Sequence, residues 1–180
     1  MCSPAVENSV QNTKLNNIKS ITNITNDDIN TADFVCGKAE VVLPQLLDIS
    51  GSKSTGTAFH YLDNNKNDDN NNIEKNNLLN LKSSIKSLLD NKSTLITAIV
   101  DPAREGLHTD CLKALRATNK IKRIVYISCN PTKSLISDGN DLCRPESNKW
   151  KGKPFKPIIA KPVDLFPMTP HCELVIIFER

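Results

Sequence analysis

Hydrophobic residues along this chain gather in short blocks, and the spacing inside each block predicts one element. Leu95, Ile96, Ala98, Ile99 and Val100 make an almost unbroken apolar run, the pattern of a strand covered on both faces. Ile124, Val125, Tyr126 and Ile127 make a second run of strand length. It must end at Asn130-Pro131, because proline lacks the donor that a central ladder needs. Between the two runs, Leu107, Cys111, Leu112 and Leu115 mark one face of a helix ending near Thr118. Residues 135–143 predict another short helix, and 158–166 and 174–178 predict the last two strands. Upstream, Ser3-Pro4 ahead of Val6 and Val10 predicts a helix over 4–17. Residues 33–37 then predict a short strand closed by Gly37, and 39–47 a short helix interrupted or begun by Pro44. Strand, helix, strand, helix and two paired strands amount to an α/β sheet that is mainly parallel.

The pattern breaks between Ser50 and Ser93. Residues 64–72 contain no apolar side chain, so nothing buried there offsets the entropy of ordering, and the run is expected to be disordered. A segment of this length inside a domain is most simply a surface insertion. Leu78, Leu79, Leu81, Ile85, Leu88 and Leu89 predict one amphipathic helix within it.

Composition narrows the class of protein. A chain of 180 residues suffices for one sizeable core. Its six cysteines include no Cys-x-x-Cys pair, which argues against a zinc knuckle and a disulfide scaffold and fits a reducing compartment. No apolar run reaches membrane-spanning length, and Met1-Cys2-Ser3-Pro4 lacks the basic-then-apolar start of a signal peptide. The expectation is a soluble intracellular protein. A net charge of +3 is compatible with a polyanionic partner but does not establish one. Lys149, Lys151, Lys153, Lys156 and Lys161 surround Trp150 and Phe155. That interleaving suits phosphate contacts and base stacking, but it suits a solvated loop better.

Candidate chemistry sits where the two apolar runs stop. The first ends in Asp101-Pro102-Ala103-Arg104 and the second in Ser128-Cys129-Asn130-Pro131. If the strands are neighbours, both signatures open on the carboxyl edge of the sheet, where ligands bind in open α/β folds. Cys129 is then a candidate nucleophile, against the alternative of a thiol packed as a small hydrophobe. Asp101 can lie near it, against the alternative of a turn-forming aspartate before proline. In the connection between the last two strands, Pro167 and Pro170 shape a tight turn, and Glu173 would begin the final strand as a carboxylate partly removed from water. His171 has no second histidine at metal-ligand spacing and is expected to be structural or exposed.

Taken together, residues 101–106, Ser128-Cys129-Asn130-Pro131 and residues 166–173 resemble the tRNA and rRNA (uracil-5-)-methyltransferase family, the last segment most closely its eukaryotic tRNA branch. Residues 34–40 also match the family's segment ahead of the insertion. The resemblance covers most of the chain outside Ser50 to Ser93. It implies a Rossmann-like class I methyltransferase sheet with an antiparallel last strand, S-adenosylmethionine as cofactor and a T-loop uridine of tRNA as substrate. It further implies Cys129 as the nucleophile that adds to carbon 6 of uracil, Glu173 as the base that takes the proton from carbon 5, and Asp101 as a residue of the cofactor pocket. On this basis 1–49 is expected to be part of the methyltransferase domain, 50–93 the Asn-rich insertion, and 94–180 the catalytic carboxyl-terminal part.

The chain departs from the family pattern in two places. Ala103 stands where a second proline is usual, which loosens that turn. None of the six glycines forms the Gly-x-Gly-x-x-Gly loop whose backbone approaches the methionine portion of the cofactor. The resemblance therefore implies the carboxyl-terminal part of an enzyme, truncated at its amino end. Three alternatives compete with catalysis at uracil. One is an inactive piece that retains only RNA or protein interaction. The others are an adenine amino-methyltransferase using Asn130-Pro131, which lacks the expected second proline and aromatic residue, and a cytosine-5 enzyme, which Glu173 fits less well.

Overall fold

The computed structural model describes residues 3–16, 18, 35–47, 59–61 and 71–180. It divides into two compact units, Met1–Lys92 and Ser93–Arg180. The first contains helix α1 (Ser3–Leu15), strand β1 (Val35–Gly37), helix α2 (Ala39–Leu46), strand β2 (Phe59–Tyr61) and helix α3 (Asn71–Asp90). β1 and β2 pair antiparallel, Val35 opposite Tyr61 and Gly37 opposite Phe59. β2 was not predicted, because three residues are too few to display an alternating pattern. α2 runs through Pro44, whose missing donor deletes a single helical hydrogen bond in an eight-residue helix. α3 is longer than its leucine pattern suggests. Asn71 and Asn72, expected to be unstructured, stand in its first turn, since a nucleated helix extends at the cost of one residue per added bond. The rest of that Asn-rich run, 64–70, lies outside the described residues. No helix among the described residues is long and apolar enough to cross a membrane.

The second unit contains strand β3 (Ile96–Val100), helix α4 (Thr109–Ala117), strand β4 (Ile121–Ser128), helix α5 (Ser134–Cys143), and strands β5 (Lys156–Val163) and β6 (Glu173–Glu179). The sheet order is β3-β4-β6-β5. β3 and β4 run parallel, while β6 lies antiparallel to both β4 and β5. The expected mainly parallel sheet is thereby corrected: three strands point one way, but the last strand in sequence is inserted against them, so only one of the three strand pairs is parallel. One face of the sheet carries Ile124, Tyr126 and Phe178, each at most 2% exposed. Together with Leu112 and Leu115 of α4 and Leu135 and Leu142 of α5 they form the core. Each such side chain contributes about 1.5–3 kcal/mol by leaving water.

The expectation that β3 is covered on both faces fails. Among the described residues it is an edge strand whose residues alternate between half-buried and exposed, with Ile99 71% exposed. A continuous apolar run therefore does not by itself locate a strand in the middle of a sheet. The opposite end of the sheet behaves likewise. All of β5 is exposed, and Pro157 and Pro162 suit its edge position.

Two arginines hold the helices of this unit at their carboxyl ends. Arg116 of α4 is completely buried, and its guanidinium donates to the carbonyls of Asp141, Arg144 and Gly152. Arg180 reaches back to donate to the carbonyls of Leu115, Arg116 and Thr118 at the end of α4. Cations there satisfy carbonyls that lack helical partners and complement the helix dipole. The loop carrying Trp150 and Phe155 closes over these groups. Both aromatics are buried, at 3% and 1% exposure, with Arg116 and Arg144 against Trp150 and Arg180 against Phe155. The suggestion that these rings stack on RNA bases is thereby corrected: they are core, and only the neighbouring lysines face solvent.

Gly152 is what permits this closure. It sits at φ +84°, and a Cβ there would lie 2.0 Å from the Arg116 carbonyl oxygen. Gly152→Ala is expected to cost about 3 kcal/mol, combining left-handed strain with a clash against fixed backbone. Urea denaturation checks it, and a loss below about 0.5 kcal/mol would contradict this packing.

Candidate active site

Because β3 and β4 are parallel, their carboxyl ends lie at one edge of the sheet, and Asp101 and Cys129 are the first residues beyond them. β6 runs the other way, so its amino-terminal residue, Glu173, begins at that same edge. The β4–β6 register pairs Ser128 with Leu174, Ile127 with Val175 and Tyr126 with Ile176. Ser128 opposite Leu174 is the last pair of this ladder, so Cys129 follows it in the chain after β4 and Glu173 precedes it as the first residue of β6. Cys129 is half-buried, Glu173 is 8% exposed, and Asp101 is exposed. Glu173 has Val163 as its register partner on β5.

Local hydrogen bonds give the edge its shape. Ser128 Oγ accepts from Asn130 N at 3.1 Å, which turns the chain out of β4 immediately after Cys129. Asn130 Nδ2 donates to the Arg104 carbonyl at 2.9 Å, joining the loop after β4 to the turn after β3. That turn closes on itself through Gly106 N and the Ala103 carbonyl, at 2.8 Å. Gly106 has φ +89°, open to glycine without strain. In the connection between β5 and β6, Thr169 N donates to the Phe166 carbonyl at 3.2 Å, and Met168 takes φ +66° inside that turn. His171 is exposed, and its backbone N–H donates to Thr169 Oγ1. Among the described residues, no group of three or more His, Cys, Asp or Glu side chains could hold a metal ion.

One residue that the sequence pattern does not single out ties this edge to the core. Asp138 of α5 is 4% exposed, and its Oδ2 accepts from Tyr126 Oη at 2.5 Å and from Leu107 N at 2.7 Å. The available signal was Asp138 on the apolar stripe that Leu135 and Leu142 define in α5. Burial, and after it the hydrogen bond to Asp138, holds the Tyr126 hydroxyl far above the usual tyrosine value of 10. A pKa raised on folding stabilises the protein fully below the unfolded value and progressively less above it. The stability difference between wild type and Tyr126→Phe should therefore be constant up to about pH 9 and shrink above pH 10. Urea titrations at pH 8 and pH 10.5 measure it, and an unchanged difference would contradict the buried hydroxyl.

The three-up, one-down sheet, with polar signatures on successive strand ends, is that of a Rossmann-like class I methyltransferase. Comparison with known proteins narrows the class. No family model matches the chain. It is 51% identical over 85 residues to tRNA (uracil-5-)-methyltransferase homolog A of Mus musculus, covering 47% of this chain and 14% of that protein. It is 34% identical over 177 residues to homolog B of Danio rerio, covering 97% of this chain and 27% of that protein. Among solved structures it resembles the tRNA (uracil-54, C5)-methyltransferase of Pyrococcus abyssi in complex with S-adenosyl-L-homocysteine. That likeness has 32% identity and a TM-score of 0.38 over 48% of this chain and 19% of the other. The chain belongs to the tRNA (uracil-5-)-methyltransferase family. It spans between about a seventh and about a quarter of the length of these curated relatives.

Proposed function

We propose that this chain supplies the nucleophile and the base for methylation of carbon 5 of a uridine in tRNA, with S-adenosylmethionine as methyl donor. The observation that supports the reading is that the β4–β6 ladder ends at Ser128 and Leu174, with a half-buried thiol and a buried carboxylate next to that last pair, at the edge of the sheet where β3 and β4 end. Carbon 5 of uracil is a weak nucleophile. Addition of the Cys129 thiolate to carbon 6 forms a carbon–sulfur bond and turns the ring into an enolate that is nucleophilic at carbon 5. Once carbon 5 carries its methyl group, Glu173 takes the remaining proton from that carbon, the ring double bond re-forms and the thiolate leaves carbon 6. A uridine in folded RNA must leave its stack to expose carbon 6, so the target base is flipped out.

S-adenosylmethionine, when bound, supplies an electrophilic methyl group. The fit of this chain to it is partial. The Asp101 carboxylate is exposed at the end of β3, with no hydrogen-bond partner among the described residues, and is placed to accept from a polar group of the cofactor. No glycine-rich loop is present to approach the methionine portion. Transfer of labelled methyl from S-adenosylmethionine to tRNA transcripts tests the reading, with 5-methyluridine as the expected product after nuclease digestion. Binding of tRNA without any methyl transfer would favour an interaction role instead.

A further inference from the structure

Asp138 takes no part in the chemistry proposed above, yet it is a buried carboxylate whose one oxygen does two jobs. Oδ2 receives the Tyr126 hydroxyl, and Tyr126 is completely buried in β4 three residues before Cys129. The same oxygen receives the N–H of Leu107, the residue that leaves the turn after β3. Gly106 packs against it so closely that a Cβ at this position would lie 2.7 Å from Oδ2 and 3.0 Å from Ser134 Cβ. The glycine in the Asp101 to Gly106 segment thus makes room for the carboxylate of α5. A charged acceptor shared by two donors in a dry setting is stronger than two neutral hydrogen bonds. It fixes the turn bearing Asp101 to the strand bearing Cys129. Asn130 makes a second tie at the exposed rim, through the Arg104 carbonyl.

We propose that Asp138 is a positioning residue, a carboxylate latch that holds the Asp101–Gly106 turn against β4 and so sets the cofactor side of the site relative to the nucleophile. The inference rests on the functional reading above, but the latch can be tested apart from it. Asp138→Asn keeps the shape and one acceptor oxygen while removing the charge. Asp138→Ala removes both, and Tyr126→Phe removes only the strand-side donor. Hydrogen exchange followed by mass spectrometry should show the amides of residues 103–107 exchanging at least about tenfold faster in Asp138→Asn, a loss of roughly 1.4 kcal/mol of local protection, with β4 itself unchanged. Unchanged exchange in this turn overturns the latch, whatever the protein catalyses. Should Asp138→Ala fail to fold, Asp138→Asn and Tyr126→Phe still decide the question.

In methyl-transfer kinetics, Asp138→Asn should raise the KM for S-adenosylmethionine about tenfold and leave the KM for tRNA within twofold. Faster exchange with an unaltered cofactor KM would overturn the positioning role and leave Asp138 a purely structural residue. If the wild-type protein transfers no methyl group, the functional reading fails, and with it the cofactor half of this proposal. Hydrogen exchange in residues 103–107 then decides by itself whether the latch exists.

Discussion

Cys129→Ala is expected to reduce methyl transfer by at least about 10⁴-fold, because without addition at carbon 6 the ring never acquires nucleophilic character at carbon 5. The effect should fall on kcat, with the KM for tRNA nearly unchanged, since a half-buried thiol contributes little to holding a large RNA. The substitution removes one sulfur at the mouth of the sheet and leaves the core of Ile124, Tyr126 and Phe178 untouched, so urea stability should change by less than about 0.5 kcal/mol. Cys172→Ala provides the control. Cys172 Sγ lies 3.0 Å from the Glu173 carbonyl, at the same edge, but Cys172 immediately precedes β6, whereas Cys129 immediately follows β4. It should retain activity within about threefold. Full activity in Cys129→Ala would contradict the mechanism outright.

The second large effect concerns Glu173. Glu173→Gln preserves shape and burial but cannot take a proton, so release should slow by about 10²–10⁴-fold while addition of Cys129 proceeds. The expected result is accumulation of a covalent protein–RNA complex that survives denaturing electrophoresis and carries the methyl label. Loss of activity without accumulation would move Glu173 to a step before methyl transfer, contrary to the assigned role. The two variants thus differ in kind: one forms no complex and the other cannot dissolve it.

Much of the second unit was legible because its elements carry full patterns. The helical stripe of Cys111, Leu112 and Leu115 and the strand from Arg123 to Ile127 appear where the spacing put them, within about two residues. Asn130-Pro131 ended β4 for the reason given, the loss of a ladder donor, and Ser128 Oγ completes the turn. The burial of β3 was misjudged because apolar content reports what a strand is able to bury, not which neighbours it has. Trp150 and Phe155 were misjudged because lysines at alternate positions look identical whether the intervening rings face solvent or the core. Here the deciding partners, Arg116 and Arg180, come from positions more than twenty residues distant in sequence.

The positions of Asp101, Cys129 and Glu173 at strand boundaries were legible because each boundary is marked by local chemistry. Asp138 was not, since a lone aspartate in a helix is usually solvated, and only its contacts with Tyr126 and Leu107 reveal its burial. Gly106 shows the same limit. Sequence alone makes it a turn residue, whereas the structure gives it a second constraint, the space occupied by the Asp138 carboxylate.

The central claim is that one particular sulfur bonds to the pyrimidine. A tRNA transcript containing 5-fluorouridine has no removable proton at carbon 5, so the adduct should be trapped. Tryptic digestion and mass spectrometry then identify the modified peptide. The account predicts the nucleotide on Cys129, within residues 124–133. A nucleotide carried by Cys111, Cys143 or Cys172, or active protein that traps no nucleotide at all, would contradict it.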